Sequence, residues 1–266
     1  MAGWRGAVAG FSGASSAPGQ GAGFLARVDL ALPPAQLGVP LVFEVYNAAS
    51  DRVGDVVSPG ELVMLKGAEL AGAEAQAGAF PLPRSIDGVS VTIGGIVEPL
   101  LYAGPAQINF QAPTELPVGV TTLVVTRGNQ ASVARPIRVI DATPGIFTAT
   151  SDGRTAPIVV HASDYSLVTA QNPAVGGEFL TLFCTGLGLT TPNIRAGDAA
   201  PAMPVPIRAD LRIIGLGTVT YAGLAPGSAG VYQVNFQLRP DVAAVTTFIV
   251  LTMGNEMSNM VPLVVK

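Results

Sequence analysis

A short phrase occurs twice in this chain of 266 residues, and this repetition constrains the fold more than any other feature. Tyr102-Ala-Gly leads into Gln107-Ile-Asn-Phe-Gln111, and Tyr221-Ala-Gly leads into Gln233-Val-Asn-Phe-Gln237. Two copies of one unit are the signature of a tandem-repeat protein. We therefore expect the second half of the chain to adopt the fold of the first.

The repetition extends well beyond this phrase. Gly60-Glu-Leu-Val-Met-Leu65 recurs 117 residues later as Gly177-Glu-Phe-Leu-Thr-Leu182. A repeat of about 120 residues is too long for a solenoid and has the size of a whole domain. The sequence therefore predicts two tandem repeats, at residues 41–143 and 144–266, preceded by a segment at residues 1–40.

Composition and turn signals favour β-structure. The chain contains 32 Gly and 22 Pro, and no long segment shows the 3.6-residue apolar period of an amphipathic helix. Segments rich in Val, Ile and Thr alternate with turns, as in the hairpin predicted for residues 87–102. About seven short strands per repeat, with a turn roughly every 8–12 residues, are typical of an immunoglobulin-like β-sandwich. The predicted fold is therefore all-β, with two tandem immunoglobulin-like β-sandwiches.

Charge, cysteine count and hydropathy exclude several classes of protein. Only 12% of the residues are charged and the net charge is −4, whereas a nucleic-acid-binding protein needs a basic face. Cys184 is the single cysteine, so an internal disulfide is excluded. No apolar run approaches the roughly 18 residues of a membrane-spanning helix. We predict no nucleic-acid partner and no membrane span.

The segment at residues 1–40 differs in composition from the repeats. Its first 22 residues are rich in Gly, Ala and Ser, which predicts flexibility, and residues 24–30 alternate well enough for one strand. The short, Gly-interrupted apolar stretch after Met1 is a poor signal peptide. We therefore expect the chain to be a piece of a longer exported protein that is extracellular or at the cell surface.

Several separated motifs occur in the order that a known family shows. They are Asn47-Ala-Ala-Ser50, Pro59-Gly60, Leu82-Pro83, Gly88-Val-Ser-Val-Thr-Ile-Gly94, Tyr102, Gln107-Ile-Asn-Phe-Gln111, Pro144-Gly-Ile-Phe147, Asn172-Pro173, Thr185-Gly-Leu-Gly188 and Gly230-Val-Tyr-Gln-Val-Asn235. On these motifs, residues 47–266 resemble the uncharacterised C-terminal domain family of large secreted acidobacterial proteins (Solibacter type). Each half is also similar to the immunoglobulin-like folds shared by plexins and transcription factors (IPT/TIG).

The resemblance implies a module at the end of exported bacterial multidomain proteins, and it implies no catalytic activity. Residues 18–30 look like the end of a β-propeller blade of the kind placed before such a module. One blade end cannot fold as a propeller by itself. If the module instead caps an upstream propeller, we expect an exposed apolar patch near residues 24–46.

The repeated amides are the main candidates for a binding site. The candidate binding residues are Tyr102, Gln107, Asn109 and Gln111 in the first repeat, and Tyr221, Gln233, Asn235 and Gln237 in the second. In an alternating strand the three amides of each set point to one face, opposite the apolar residues between them. One interpretation is a polar ladder that binds sugar hydroxyls. The other is structural, with amides bonded to the backbone of neighbouring loops.

The candidates for catalysis are weak. His161, with Ser163 and Asp164 beside it, could serve as a general base, and it is the only histidine. Cys184 lies in an apolar segment that predicts a buried, inert thiol. No Gly-x-Ser-x-Gly elbow is present. We assign no catalytic residue, and a hydrolase with a site near His161 is the alternative.

Metal-binding patterns are equally sparse. One histidine cannot form a multi-histidine zinc site, and no Asp-x-Asp-x-Asp run marks a calcium loop. The acidic residues considered for calcium are Asp51, Asp55, Glu61, Asp152, Asp164, Asp198 and Asp241. We predict no metal site and no cofactor, with room for a single loosely bound Ca²⁺.

These observations favour a non-catalytic extracellular module for adhesion, spacing or carbohydrate contact. Its predicted partners are polysaccharide or another domain of the parent protein. We expect the two sandwiches to meet at residues 143–147, with Phe147 as a wedge between them.

Overall fold

The computed structural model describes residues 38–151, 154–242 and 246–266. Over these ranges the chain forms β-strands, turns and loops, and it contains no helix that could cross a bilayer. The predicted N-terminal segment at residues 1–40, with its strand at 24–30, lies outside the described residues except for residues 38–40. Phe43, at the end of the predicted apolar patch, is 55% exposed.

The first half, residues 38–140, is built from two sheets packed face to face. Its strands are β1 (Leu41–Asn47), β2 (Val56–Val57), β3 (Leu62–Ala68), β4 (Ala75–Gln76), β5 (Val89–Ile93), β6 (Ile96–Val97), β7 (Leu100–Ala103), β8 (Gln107–Gln111), β9 (Gly119–Arg127), β10 (Gln130–Ala131) and β11 (Arg135–Val139). One sheet has the order β1-β3-β8-β7-β4, and the other has the order β2-β11-β9-β5-β6 with β10 on β9. The longer strands follow the ABED and GFC order of a constant-type immunoglobulin domain.

The second half, residues 141–266, repeats this plan, with its second sheet divided into smaller sheets. They are β12 (Gly145–Ile146), β13 (Thr148–Ser151), β14 (Arg154–Pro157), β15 (Val159–His161), β16 (Phe179–Thr185), β17 (Arg212–Ile213), β18 (Gly217–Leu224), β19 (Tyr232–Leu238), β20 (Thr246–Ile249), β21 (Leu251–Met253), β22 (Glu256–Met257) and β23 (Val261–Val264). The main sheet has the order β12-β16-β19-β18 with β15 on β16. Opposite it lie the two-stranded sheet β20-β23 and the three-stranded sheet β17-β21-β22, and β13-β14 form a hairpin.

Alternation along the strands produces two hydrophobic cores. In β5 every second residue is buried, and the same alternation recurs in β19. One core draws on residues 45–139 and the other on residues 142–265. Each fully buried Val, Leu, Ile or Phe side chain contributes about 1.5–3 kcal/mol to folding. The prediction of an all-β chain made of β-sandwiches is confirmed.

Strand register aligns the two halves residue by residue. Asn47 at the end of β1 pairs with Val63, and His161 at the end of β15 pairs with Leu180. Val63 and Leu180 are equivalent because they occupy the same place in the repeat that begins at residues 60 and 177. His161 therefore occupies in the second half the position that Asn47 occupies in the first.

A buried polar network joins the two halves. Glu61 is fully buried and accepts hydrogen bonds from Asn47 Nδ2 at 2.8 Å, Ser58 N at 2.7 Å and Thr143 Oγ1 at 2.5 Å. Asn47 Nδ2 also donates to the Thr143 carbonyl at 2.9 Å, and Thr143 N donates to Gly186 O. The connecting segment is thereby bonded to both halves.

Further hydrogen bonds also cross between the halves. The Leu62 N–H donates to Thr185 Oγ1 at 2.9 Å, and the Gly197 N–H donates to Gln111 Oε1 at 2.8 Å. We call the surface of the first half that makes these bonds, residues 47, 58, 60–62 and 111, the joint surface. Phe147, the predicted wedge, is half-buried, and its backbone bonds to Phe183 within the second half. The cross-half bonds use Thr143, Thr185 and Gly197 of the second half instead, together with Ala196 and Glu256, which contact Arg84 and Arg52.

Candidate functional site

An open groove of about 500 Å³ lies on the first half. It is lined by Gln76, Ala77, Phe80, Leu82, Leu101, Tyr102, Gln107 and Asn109. Ile108 and Phe110 are fully buried in the core, so Gln107 and Asn109 face outward from β8. The volume lies within the range of roughly 300–1,000 Å³ that small-molecule sites occupy. We call this site the Tyr102 groove.

Strand pairing sets the order of the polar side chains in the groove. Asn109 on β8 pairs with Tyr102 on β7, and Tyr102 pairs with Gln76 on β4. An amide, a phenol and an amide therefore stand side by side across three strands. Neighbouring strands are about 4.8 Å apart, so this row presents polar groups at a spacing set by the sheet.

The two amides on β8 orient each other. Gln107 Nε2 donates to Asn109 Oδ1 at 2.9 Å. A primary amide carries two donor hydrogens and an acceptor oxygen, so Gln107 Oε1 can accept and Asn109 Nδ2 can donate toward the groove. The pair thus offers both kinds of hydrogen bond to one ligand.

Tyr102 and the apolar lining give the groove its shape. The Tyr102 ring lies over Gly104, where a Cβ would stand 2.4 Å from the phenol oxygen, so only glycine fits at that position. Partial burial and the nearby Glu74 carboxylate raise the pKa of Tyr102 above its usual value. The phenol is therefore protonated at neutral pH and can donate. Phe80, which is 46% exposed, adds an apolar surface at the groove.

Gln111 does not join the other amides of its set. Its side chain is buried in the joint surface, where Nε2 donates to Gly60 O at 3.2 Å and Oε1 accepts from Gly197 N. For this residue the structural interpretation holds. The sequence pattern placed Gln111 on the same strand face as Gln107 and Asn109. The second half covers this face at Gln111, which the pattern of one strand cannot reveal.

In the second half the equivalent groups bond to the protein itself. Tyr221 OH accepts from Val205 N at 3.1 Å, and Asn235 Oδ1 accepts from Thr181 Oγ1 at 3.1 Å. Gln237 Nε2 donates to Gly177 O at 3.0 Å. Gln233, on β19, is half-buried between β16 and β18.

Sequence reasoning identified Tyr102, Gln107 and Asn109 but missed Gln76 and Phe80. Both lie in the stretch between β3 and β5, which is rich in Ala and shows no clear strand alternation. The short strand β4 pairs with β7 and carries Gln76 to the groove. Two residues give too little alternation to predict a strand, so no local signal marks this contribution.

The weak catalytic candidates do not form a catalytic constellation. His161 Nδ1 lies 3.0 Å from Glu178 Oε2, and its Nε2 lies 3.3 Å from the Asn172 carbonyl oxygen. Both ring nitrogens thus face acceptors, which leaves no free nitrogen to take a proton from a substrate. Asp164 accepts hydrogen bonds from Ser166 N and Oγ in a local turn, and Ser163 is exposed in the same turn.

The pKa of His161 follows from these contacts. Burial alone would lower it, but the Glu178 carboxylate and the Asn172 carbonyl raise it overall. Cys184 is fully buried, and burial raises the pKa of its thiol, so the predicted inert thiol agrees with its surroundings. Across the described ranges no group of three or more His, Cys, Asp or Glu side chains could hold a metal ion. The single loose Ca²⁺ stays a prediction.

No family model matches the chain, and no curated protein matches it. Among solved structures, the SGBP-B protein of a Bacteroides ovatus mixed-linkage glucan utilisation locus, in complex with a mixed-linkage heptasaccharide, is similar at 14% identity and a TM-score of 0.32 over 82% of this chain. A γ-CGTase from alkalophilic Bacillus clarkii matches at 12% identity and a TM-score of 0.30 over 85% of this chain. An SGBP-B from a Bacteroides uniformis xyloglucan utilisation locus matches at 15% identity and a TM-score of 0.23 over 85% of this chain. The chain covers 45%, 24% and 49% of these three structures, less than half the length of each.

Proposed function

We propose that this chain is a non-catalytic carbohydrate-contact module that holds a neutral polysaccharide in the Tyr102 groove. The observation that carries the proposal is the convergence of Gln76, Tyr102, Gln107 and Asn109 in one open groove of about 500 Å³. Extracellular or cell-surface location and membership of the secreted family that the motifs resemble belong to the same proposal.

The chemistry of the groove suits a sugar. Each sugar hydroxyl both donates and accepts a hydrogen bond, and the amides and the phenol supply both partners. A sugar ring also has apolar faces formed by its C–H groups, and the groove offers Phe80, Leu82 and Leu101 to them. A mostly apolar lining with a few convergent polar groups is the usual composition of a ligand site.

The charge of the groove argues for a neutral glycan. No Lys or Arg lines the groove, and Glu74 is close enough to Tyr102 to raise the pKa of the phenol. An anionic sugar would therefore meet repulsion without a compensating cation.

The test is a binding screen of the chain against a polysaccharide array, with and without Ca²⁺, followed by calorimetry on the best neutral glycan. We expect Asn109→Ala and Tyr102→Ala each to weaken binding by about 5–30-fold, because each removes one or two hydrogen bonds to the ligand. Asn235→Ala is the matched control, since it removes the same amide from the equivalent position of the second half. Equal losses for Asn109→Ala and Asn235→Ala, or no neutral glycan bound on the array, would contradict the proposal.

A further inference from the structure

The end of the second half that carries His161 and Glu178 repeats the joint surface of the first half. The equivalent pairs are Asn47 and His161, Ser58 and Val175, Gly60 and Gly177, Glu61 and Glu178, Leu62 and Phe179, and Gln111 and Gln237. We call these residues of the second half the open end. The two surfaces therefore occupy the same position on the same fold.

The internal bonds of the two surfaces are also the same. Gln111 Nε2 donates to the Gly60 carbonyl, and Gln237 Nε2 donates to the Gly177 carbonyl. Glu61 accepts a hydrogen bond from the backbone N–H three residues earlier, and so does Glu178. The open end thus has the architecture that positions the joint surface for docking.

The two surfaces differ in that the second half covers the joint surface, whereas the open end is exposed to solvent. Leu62 is 7% exposed under the second half, whereas Phe179 is 50% exposed. Gln111 is buried and its Oε1 accepts from Gly197 N of the second half, whereas Gln237 is exposed. The second half therefore presents the Phe179 ring and Gln237 Oε1 to solvent. The first half uses the equivalent Leu62 and Gln111 to contact its neighbour.

The backbone hydrogen bonds beside the two surfaces are also equivalent. Ile140 N donates to the Val57 carbonyl just before the chain enters the second half at Thr143. Lys266 N donates to the Ala174 carbonyl, which is the equivalent bond of the second half. Lys266 therefore lies beside the open end as Ile140 lies beside the joint surface.

We propose that the open end is a docking surface for one further β-sandwich module of the second half's kind. In the docked arrangement a hydroxyl of that module donates to Glu178, as Thr143 does to Glu61, and a backbone N–H donates to Gln237 Oε1. A small residue packs on Phe179 as Gly230 packs on Leu62, where a Cβ at residue 230 would lie 2.6 Å from a Leu62 methyl carbon.

A second copy of this chain fits the surface less well. The docking face of its second half is already occupied by its own first half. At the opposite end of its first half, Ala68 and Ala106 stand where the second half has Thr185 and Tyr232. The Thr185 hydroxyl that bonds across the joint is therefore missing there, and so is the Tyr232 ring beside it.

The experiment uses the full chain with residues 141–266 repeated once after Lys266. In the added copy alone, His161→Asn keeps the original histidine as a unique reporter at the docking surface. Hydrogen exchange of the His161 ring, followed by mass spectrometry, is compared with that of the parent chain. If the added module docks, we expect exchange at His161 to slow by about tenfold or more, and X-ray scattering to fit one rigid three-module particle.

The matched control carries Phe179→Ser and Gln237→Ala in the original second half. Both side chains are exposed in the parent, so the parent bearing these changes is expected to melt within a few degrees of the unchanged chain. In the three-module chain they should abolish the slowing. The proposal is overturned if the added module is unfolded or moves independently, or if His161 exchanges as fast as in the parent. Self-association of the parent that buries His161 and is lost with Phe179→Ser would also overturn it, because the occupant would then be a second copy.

Discussion

The two halves of this molecule carry the same surface at the same end, but the surface is covered in the first half and open in the second. Glu61 and Glu178 are equivalent carboxylates, yet Glu61 is fully buried with three polar partners, whereas the Glu178 side chain is 23% exposed beside His161. Asn47 fills the covered site with a neutral amide, and His161 fills the open one with a titratable ring. The two positions carry the same residue type, so their difference in exposure to solvent comes from the neighbouring module that covers Glu61.

The same contrast holds for the outer faces of the main sheets. In the first half Gln107, Asn109 and Tyr102 line an open groove, whereas Asn235 and Tyr221 are bonded to the protein in the second half. One repeated pattern thus supplies both a candidate ligand site and a structural network.

The largest difference between the halves is expected when each carboxylate is truncated. Glu61→Ala should lower the free energy of unfolding by about 3–5 kcal/mol, because it leaves buried donors of Asn47, Ser58 and Thr143 without an acceptor. Glu178→Ala should cost about 1 kcal/mol, since solvent reaches the Glu178 carboxylate and the exposed Val175. Urea unfolding at pH 7 measures both, and equal effects of the two substitutions would contradict the contrast in burial.

The buried Glu61 carboxyl should also make stability depend on pH. Burial raises the pKa of Glu61 to about 7, although its hydrogen bonds with Thr143, Ser58 and Asn47 oppose the shift. The folded state therefore binds the proton more tightly than the unfolded state, whose glutamate pKa is about 4.3. Stability from this group is complete below that value and falls by roughly 3–4 kcal/mol as the pH rises through about 7.

Glu61→Gln should remove most of this pH dependence while keeping the shape of the side chain. The measurement is a series of urea unfolding curves from pH 4.5 to 8 for both proteins. A second buried carboxyl, Glu98, has its pKa raised to about 9 by burial and adds a slope of the same sign. Its contribution is common to both proteins and cancels in their difference, so identical curves would show that Glu61 does not titrate in this window.

Packing against the joint surface can be tested at Gly145, which lies beside Asn47. A Cβ at Gly145 would lie 2.1 Å from Asn47 Oδ1, so Gly145→Ala should displace the Asn47 amide and cost about 1–3 kcal/mol. Gly78→Ala is the matched control, because nothing lies within 4 Å of a Cβ there. Thermal melting compares them, and a neutral Gly145→Ala would mean that the joint tolerates displacement.

The smallest effect is expected at the open end. His161→Asn gives the second half the residue that the first half has, and it removes the group whose pKa Glu178 and Asn172 raise against the effect of burial. The stability it contributes is complete below the unfolded pKa of about 6.5 and is lost as the pH rises through the higher folded value. We expect His161→Asn to cost less than about 1 kcal/mol at pH 5.5 and almost nothing at pH 8.5. A cost that is equal at both pH values would assign His161 a packing role only.

Much of the fold could be predicted from local patterns. Alternation of apolar residues identified the strands around Gln107–Gln111 and Gln233–Gln237, and it placed their amides opposite the core. Gln111 and Gln237 bond to the backbone of neighbouring loops, as the structural interpretation expects, and the binding interpretation stays a proposal for Gln107 and Asn109. Short-range alternation is visible in sequence because a strand's side-chain period is a property of its own backbone.

Local patterns in the sequence were sufficient to predict the β-sandwich fold, the repeat and the equivalence of the repeated motifs. The equivalence of Asn47 and His161, the burial of Glu61 and Gln111, and the position of Gln76 in the Tyr102 groove became visible only in the folded chain. Strand alternation arises from neighbouring residues, whereas burial of a strand end depends on a module docked from more than 80 residues away, as for Glu61 and Thr143. Equivalent sequences therefore acquired different environments and different chemistry.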